Sequence, residues 1–214
     1  MILRASLNSM RLPSWVPELQ TKHAPMPLLL VQSFVNTRDP DEGTDMLASM
    51  DGARAWLADA GLLGPGAARD GEIRRAREVR ESIRALIARN GAGLGGGGEP
   101  MTAEQLRPLE AALAEARPRL AVGADGGVRL DAGSSGRLAD GILRLLLIIR
   151  DAQADGTWSR LKLCTNRECQ WAFFDRSHSR RGAWCDMATC GNKIKNRNLR
   201  ARRAQEGRGE RTAG

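Results

Sequence analysis

All four cysteines of the chain lie in one 27-residue window, where together they could hold a metal ion. They are Cys164, Cys169, Cys185 and Cys190, with the spacing C-x4-C-x15-C-x4-C. Two close pairs joined by a longer loop can deliver four thiolates to one tetrahedral ion, because each pair forms a tight turn and the loop brings the turns together. The spacing therefore predicts a structural Zn²⁺ site, with one ion per chain.

Two disulfides or an iron–sulfur cluster are the rival uses of four cysteines. Disulfides need an oxidising compartment, and the first 20 residues contain neither an apolar signal region nor a convincing cleavage site. The spacing also matches neither ferredoxin pattern. No segment approaches the roughly 18 apolar residues that would span a membrane. We therefore favour zinc and expect a cytoplasmic protein without a membrane partner.

The segment between the two cysteine pairs predicts a hairpin that stacks the two turns. Residues 170–184 read as a short strand, a polar turn and a return strand. Alternation puts Trp171 and Phe173 on one face of the first strand and Phe174 on the other, where Phe174 could pack on the N-terminal domain. A module of about 50 residues buries little apolar surface, so its folding should require the metal, which would contribute ~10 kcal/mol.

The basic excess of the chain lies in its last quarter. From residue 156 onwards, 14 Lys and Arg residues against 5 Asp and Glu residues give a net charge of +9. The whole chain has a net charge of +8, so the first 155 residues contribute no basic excess. Four thiolates around one Zn²⁺ remove about two charges, so the folded segment stays basic. Such a surface favours nucleic acid as the partner.

The sequence after Cys190 and Gly191 predicts a basic helix, because no further helix breaker follows before Gly207. On a helix, Ile194, Asn198 and Ala201 form one narrow stripe that could pack on the finger but is too small for membrane binding. The basic residues cover most of the remaining circumference, which suits a phosphate-lined groove. A merely solvated basic tail is the plainer alternative. The asparagines could read base edges and the basic residues could bind phosphate or guanine. The predicted nucleic-acid contacts are Arg180, Arg181, Asn192, Lys193, Lys195, Asn196, Arg197, Arg200, Arg202 and Arg203.

The cysteine-rich segment resembles the CGNR zinc-finger family. The resemblance rests on the first cysteine pair, on W-x-F-x-D-x-S from Trp171 to Ser177, on R-x-x-W-C-x-M from Arg181 to Met187, and on Cys190-Gly191-Asn192. Lys193 stands where the family has arginine. This change keeps the charge and loses the bidentate fork, so it preserves phosphate binding better than guanine reading.

The family typically places this finger behind an N-terminal ABATE domain, and the N-terminal half is similar to that domain. The similar stretches are FVNT at 34–37, Trp56 with the Ala-Gly-Leu of 60–62, and AREVRESIRALI at 76–87. The resemblance implies a stress-induced transcription regulator whose finger binds DNA. The residues themselves indicate only nucleic acid in general. An RNA-binding protein and a zinc adapter that docks on an acidic protein surface therefore remain alternatives.

Two further patterns bear on these alternatives. An RNA-binding protein would stack bases on exposed aromatic rings, and only Trp158 and Phe174 are free for that use. Asp175, Ser177 and His178 resemble a hydrolase cluster, but four cysteine ligands leave no coordination position for a water nucleophile. We therefore predict no enzyme, and expect Asp175 and Ser177 to cap a turn and pair with Arg181 or nearby amides.

The N-terminal half predicts a mainly helical domain. Residues 28–36 could form a strand or a short helix. Helices are predicted at 51–60 with Asp51 as N-cap, at 73–87, after a Thr102–Gln105 capping box, and at 138–149. An Asp-Gly turn within RLAVGADGGVRL predicts a hairpin before the last helix. The many arginines of the 73–87 helix are expected on a solvated face.

The predicted fold is a mainly α N-terminal domain with a small β-hairpin, followed by a small α+β zinc finger that has four cysteine ligands and ends in a basic helix. We place a flexible N-terminal arm at 1–26, the helical domain at 27–155, the finger at 156–206 and a disordered tail at 207–214. The helical domain is large enough to fold alone. It should sense a ligand or dimerise, since a homodimer would multiply the limited DNA affinity of one small finger.

Overall fold

The computed structural model describes residues 12–64, 69–91, 99–133, 135–197 and 199–200. Its longer helices are α1 (Leu28–Val35), α2 (Met50–Asp59), α3 (Asp70–Ala88), α4 (Ala103–Glu115) and α5 (Leu138–Ala154). Three antiparallel strand pairs join β1 (Arg38–Asp39) to β2 (Thr44–Asp45), β3 (Arg119–Val122) to β4 (Val128–Asp131), and β5 (Leu161–Leu163) to β6 (Ala172–Phe174). A π-helix at Met187–Gly191 continues as α-helix at 192–197 and at 199 and 200. The predicted fold class is confirmed.

The apolar run at 28–36, for which the sequence left strand and helix open, forms the central helix α1. Every residue of α1 is buried, including Gln32 and Ser33. The helix is enclosed by α3, α5 and β6. A helix that is covered on all sides needs no polar face, which is why this segment shows no amphipathic period.

Helix α2 has its N-cap two residues earlier than predicted. The side chain of Ser49 accepts a hydrogen bond from the backbone N–H of Gly52 at 3.1 Å, so Ser49 is the N-cap. The predicted cap at Asp51 is therefore wrong. Asp51 lies in the first turn, where its charge still favours the positive end of the helix dipole. The chain leaves the helix at Gly61, which has a left-handed φ of +64°.

The other local signals are confirmed. The Thr102 hydroxyl accepts from the backbone N–H of Gln105 at 3.3 Å, and the Gln105 side chain accepts from the backbone N–H of Thr102 at 3.0 Å. The predicted hairpin is β3–β4, in which Leu120 pairs with Leu130. Its turn uses Gly126 with φ +76°.

Two arginines of α3 contradict the expected solvated face. Arg80 is 2% and Arg84 5% exposed. Arg80 donates to both carboxylate oxygens of Asp45 at 2.6 and 2.8 Å. The reason lies in the packing of α3 against α1, α4 and β5, which encloses part of the helix that would otherwise face water. Guanidinium groups are tolerated there because their donors are paired.

The hydrophobic core runs through both halves of the chain. Trp158, Leu161, Ala172 and Phe174 belong to the same buried cluster as the apolar residues of α1, α3 and α5. The predicted packing of Phe174 on the N-terminal domain is thereby confirmed. Trp158 and Phe174 are each 7% exposed. Neither ring is therefore available as the RNA-stacking platform that the sequence left open.

The hairpin predicted between the cysteine pairs is wrong. Strand β6 pairs with β5, which precedes the first cysteine, and residues 175–186 contain no strand. The segment that was expected to return as a strand instead touches the chain just after β5, where the N–H of Thr165 donates to the Ala183 carbonyl at 2.9 Å. Sequence alternation identified the strand at 172–174 but could not identify its partner.

The N-terminal segment 12–26, expected to be part of a flexible arm, lies packed against both halves of the chain. The Trp15 carbonyl accepts from the Trp56 indole N–H at 2.9 Å. The Lys22 carbonyl accepts from the N–H of Phe174 in β6 at 3.0 Å, and the Lys22 ammonium donates to the Trp184 carbonyl at 2.7 Å. Residues 1–11 and 201–214, which include the predicted disordered tail, lie outside the described residues.

Candidate metal centre and basic surface

The structure brings the four cysteines together into one cluster. Their Sγ atoms all lie within 4.8 Å of one another. The Sγ atoms of Cys169 and Cys185 are 3.6 Å apart, which is far longer than a disulfide bond of about 2.05 Å. Zn–S bonds of about 2.3 Å give a tetrahedron with edges of about 3.8 Å. Four thiols this close together can surround a metal ion, so the cluster forms a structural metal site.

The first cysteine pair is held by the end of the β5–β6 ladder. The N–H of Cys164 donates to the Trp171 carbonyl at 2.9 Å, so the ladder continues as far as the first thiol. Asn166 forms the turn between the pair, because its carbonyl accepts from Cys169 N–H at 3.0 Å. Its buried side-chain amide also points to the Cys190 sulfur at 3.8 Å. Asn166 thus joins the first turn to the fourth thiol.

The second cysteine pair leads into the C-terminal helix through the π-helix. Asp186 caps it by accepting from the N–H of Thr189 at 2.9 Å. Cys190 lies within the π-helix itself. A Cβ on Gly191 would lie 2.5 Å from the Met187 sulfur, so only glycine fits there without displacing Met187. The last thiol therefore lies in the same helical turn from which the basic helix continues.

The thiols of the cluster determine one another's ionisation. Hydrogen bonds from Cys169 and Cys185 lower the pKa of Cys164 to about 2. The contact with Cys164 is the main cause that raises the pKa of Cys169 and raises that of Cys185 to about 12. Without a cation the cluster therefore keeps protons at neutral pH. A divalent ion would replace them, as expected of thiolate ligands.

Asp175 is the centre of the polar turn that follows β6. Its carboxylate accepts from the Lys162 ammonium at 2.9 Å, from the Ser177 hydroxyl at 2.7 Å and from the backbone N–H of Gly182 at 2.7 Å. Burial alone would raise the pKa of Asp175, but these hydrogen bonds outweigh it and hold that pKa well below its usual range. The predicted turn-capping role is confirmed. The charged partner is Lys162 rather than the expected Arg181, because Lys162 projects from the paired strand β5.

Lys193, the fourth position of the family motif, is bound by the N-terminal half. Its ammonium lies 2.8 Å from a carboxylate oxygen of Asp41, in the turn between β1 and β2. This hydrogen bond raises the pKa of Lys193. Asn192 is also engaged, since its side-chain amide donates to the Ala188 carbonyl at 3.0 Å. Both predicted nucleic-acid contacts thus have a hydrogen-bond partner within the protein.

The remaining predicted contacts that the structure describes project into solvent. Arg180 lies beside Arg181 in the turn that follows β6, and it has a left-handed φ of +52°. Together with Lys162 these two arginines line an open cleft of about 500 Å³. These remaining residues are Arg180, Arg181, Lys195, Asn196, Arg197 and Arg200. Arg202 and Arg203 lie outside the described residues.

Comparison with protein families identifies the two halves of the chain. A family model named ABATE, described as "Putative stress-induced transcription regulator", matches residues 29–154. The chain belongs to the ABATE family. Behind the ABATE domain, a CGNR zinc-finger model matches residues 160–203, so the recognition made from the sequence motifs is confirmed. The search of curated proteins gave no match. In the described part of this ABATE protein, no helix combines the length and apolarity needed to cross a membrane.

The FVNT stretch of the ABATE domain holds the finger through the side chain of Asn36, a contact that we call the clasp. The Asn36 side chain donates to the Ala172 carbonyl at 2.9 Å and accepts from the Ala172 N–H at 2.8 Å. It thereby pairs with β6 in the way a neighbouring strand would. Gln32 adds a second donor to the Ala172 carbonyl at 3.1 Å. The sequence marked this stretch as part of a family motif but gave no sign of its contact.

Arg84 makes a second connection between the ABATE domain and the finger. Its guanidinium donates to the Gln170 carbonyl at 2.7 Å and to the Val35 carbonyl at 2.8 Å. Gln170 directly follows the cysteine at 169 and has a left-handed φ of +50°. Burial lowers the pKa of Arg84, and neighbouring Glu81 opposes that effect. The metal centre is thus attached to the helical domain within one residue of a ligand position.

Proposed function

We propose that this ABATE protein is a DNA-binding transcription regulator whose finger docks a basic helix on DNA. The observation that carries the proposal is the position of Cys190 in the π-helix that runs directly into the basic helix. An ion held by this thiol would fix the direction in which the helix leaves the finger. We assign that ion as a single structural Zn²⁺, because four sulfur ligands in tetrahedral arrangement favour zinc.

The charges of the helix support a phosphate-binding role. Lys195, Arg197 and Arg200 are exposed, and none of them forms an ion pair within the described residues. Each would release condensed counterions on meeting a DNA phosphate, which makes binding salt-dependent. Four thiolate ligands leave no open position on the ion, so we propose a binding protein and not an enzyme. Free thiols at the site suit the reducing cytoplasm.

The ion pair between Lys193 and Asp41 adds an orienting contact. Lys193 begins the basic helix, whereas Asp41 belongs to the ABATE domain. The Asp41 carboxylate holds the first turn of the helix against the ABATE domain. It also neutralises the positive charge of Lys193, which is the fourth residue of the family motif. DNA phosphates would compete with Asp41 for this ammonium. We therefore expect Asp41→Asn to free the Lys193 ammonium for a DNA phosphate. The plot of log binding constant against log salt concentration should then steepen by about 1.

The test uses the full-length, zinc-loaded protein and a library of random duplexes at about 0.15 M salt. Retention of a shared sequence motif would support a sequence-specific regulator. The variant with Lys195, Arg197 and Arg200 changed to alanine should bind all duplexes more weakly, and its salt slope should flatten by about 3. The matched control changes three exposed arginines of the ABATE domain to alanine: Arg74, Arg107 and Arg150.

Equal loss in the two variants would mean that only the overall charge matters, and the docking helix would be wrong. Failure of the zinc-loaded protein to retain any duplex would reject DNA as the partner. RNA or an acidic protein surface would then be tested with the same pair of variants. Stripping the metal should abolish the difference between them, because the helix would lose its fixed direction.

A further inference from the structure

The β3–β4 hairpin of the ABATE domain exposes an apolar face to solvent. Leu120 and Val122 in β3 are 75% and 73% exposed, and Val128 and Leu130 in β4 are 68% and 36% exposed. In the observed register Leu120 lies opposite Leu130 and Val122 lies opposite Val128. Opposite residues of an antiparallel pair share a face, so all four side chains lie on the same side.

This hairpin has no further strand beside it among the described residues. A two-stranded hairpin without cover is only marginally stable in water. Its open edges also present unpaired backbone groups, which are a template for another strand. The hairpin is therefore short of the partner that would complete a sheet.

The outer edge of β4 is prepared for such a partner. The N–H of Gly123 donates to the Gly127 carbonyl at 2.8 Å, which marks a hydrogen-bonded pair next to the turn. Hydrogen-bonded and non-hydrogen-bonded pairs alternate along an antiparallel ladder. Leu130 therefore belongs to a non-hydrogen-bonded pair, and its N–H and C=O point away from β3. These groups lie in the middle of the free edge.

The charges along β4 complement a second copy of the same strand. Arg129 and Asp131 flank Leu130 on the opposite face, and both are exposed. Among the described residues, the ion pair of Arg129 is a long contact to the exposed Asp125, at 3.6 Å. If two β4 strands pair antiparallel around Leu130, Arg129 of each copy lies opposite Asp131 of the other. A single two-fold axis therefore creates two cross-strand ion pairs.

From these observations we infer that β4 is a homodimerisation edge, at which two copies of the chain form a four-stranded sheet β3-β4-β4-β3. The two Leu130 residues exchange both backbone hydrogen bonds and lie side by side. Val128 of each copy lies opposite Ala132 of the other. Strand pairing also explains why an exposed hairpin keeps large apolar side chains. The inference concerns the DNA-free protein and does not depend on the proposed function.

The test measures the oligomeric state of the full-length, zinc-loaded protein by sedimentation velocity without DNA. A contact of this size is at the low end of specific interfaces, so dissociation constants in the micromolar range are expected and concentrations up to about 200 µM are needed. The wild type should shift from monomer to dimer with increasing concentration. A monomer over the whole range would overturn the inference.

Charge exchange tests the register. Arg129→Asp or Asp131→Arg alone places like charges opposite each other twice, and each should weaken dimerisation by about tenfold or more. The double variant restores both ion pairs and should recover the wild-type dimer. A mixture of the two single variants should form a heterodimer for the same reason. The far-ultraviolet circular dichroism and zinc content of each variant verify its folding.

If the single charge variants dimerise as strongly as the wild type, the edge pairing is overturned. If Leu120→Ser and Val122→Ser together abolish such dimers, the copies pack face to face through the apolar surface, and the β4 register is wrong. The double charge variant serves as the internal control, because within each hairpin it places the residue at 131 against Arg119 in the same way as the single Asp131→Arg variant. Recovery in the double variant therefore reports contacts between copies and not hairpin stability.

Discussion

Replacement of Asn36 by alanine should loosen the finger from the ABATE domain. Ala172 is fully buried, and the Asn36 side chain is the partner of its N–H at 2.8 Å. Leaving that donor unpaired costs about 1–3 kcal/mol. The Ala172 carbonyl keeps its bond from Gln32 at 3.1 Å, so its loss is smaller. We expect the free energy of unfolding to fall by about 2–3 kcal/mol in total.

The assay is urea unfolding at a fixed concentration of free zinc, followed by tryptophan fluorescence. With a denaturant slope of about 2–3 kcal/mol per M, the midpoint should fall by about 1 M. Asn36→Asp should be at least as damaging, because it keeps the acceptor but directs a second oxygen at the Ala172 carbonyl. The control is Gln153→Ala, which removes an exposed amide from α5.

Two results would refute this reasoning. One is a midpoint for Asn36→Ala that matches the control. The other is tolerance of Asn36→Asp, which would show that the shape of the side chain matters and that its donor does not. A competition assay with a chromogenic chelator gives a second readout. If docking stabilises the finger, Asn36→Ala should release zinc more readily, because the ion binds the folded site and not the unfolded chain.

Three further outcomes are expected. Chelation should lower the melting temperature of the whole chain, measured by calorimetry, because Trp158 and Phe174 join the finger to the main core. Zinc binding should release at least two protons at neutral pH, seen by titration calorimetry in two buffers, since the pKa values of Cys169 and Cys185 are raised; affinity should therefore weaken as pH falls. Asp175→Asn should cost about 3–5 kcal/mol in urea unfolding by leaving the Lys162 ammonium buried without its carboxylate, and adding Lys162→Met should recover much of that loss.

Sequence reasoning succeeded where the signal is local. The cysteine spacing led to the metal cluster, and the capping box at Thr102 led to α4. The Asp-Gly turn led to β3–β4. Each of these features depends on residues a few positions apart, for which backbone geometry and side-chain chemistry leave few choices.

Predictions from the sequence failed where contacts between distant segments determine the local structure. Helix α1 has no amphipathic period because α3, α5 and β6 enclose it, so the sequence could not distinguish it from a strand. Strand β6 was assigned to a hairpin because its partner β5 lies on the far side of the first cysteine. Arg80 has the spacing of a surface arginine, yet Asp45 draws it inside.

The candidate site divides in the same way. The four thiols could be predicted because thiols are typical metal ligands and their spacing in the sequence is typical of a metal site. The contact of Lys193 with Asp41 joins residues 152 positions apart, and that of Asn36 with Ala172 joins residues 136 positions apart. No rule on short spacings links such residues, so the attachment of the finger to the ABATE domain emerges only from the folded structure.

The shared core has a consequence for how this finger can be inherited. If a gene segment carried only the finger into another protein, the rings of Trp158 and Phe174 would lose the core against which they pack. It would also leave Ala172 without the amide that pairs with its backbone. Recombination can therefore exchange this finger only together with a domain that offers the same clasp, and the two halves should descend as a single evolutionary unit.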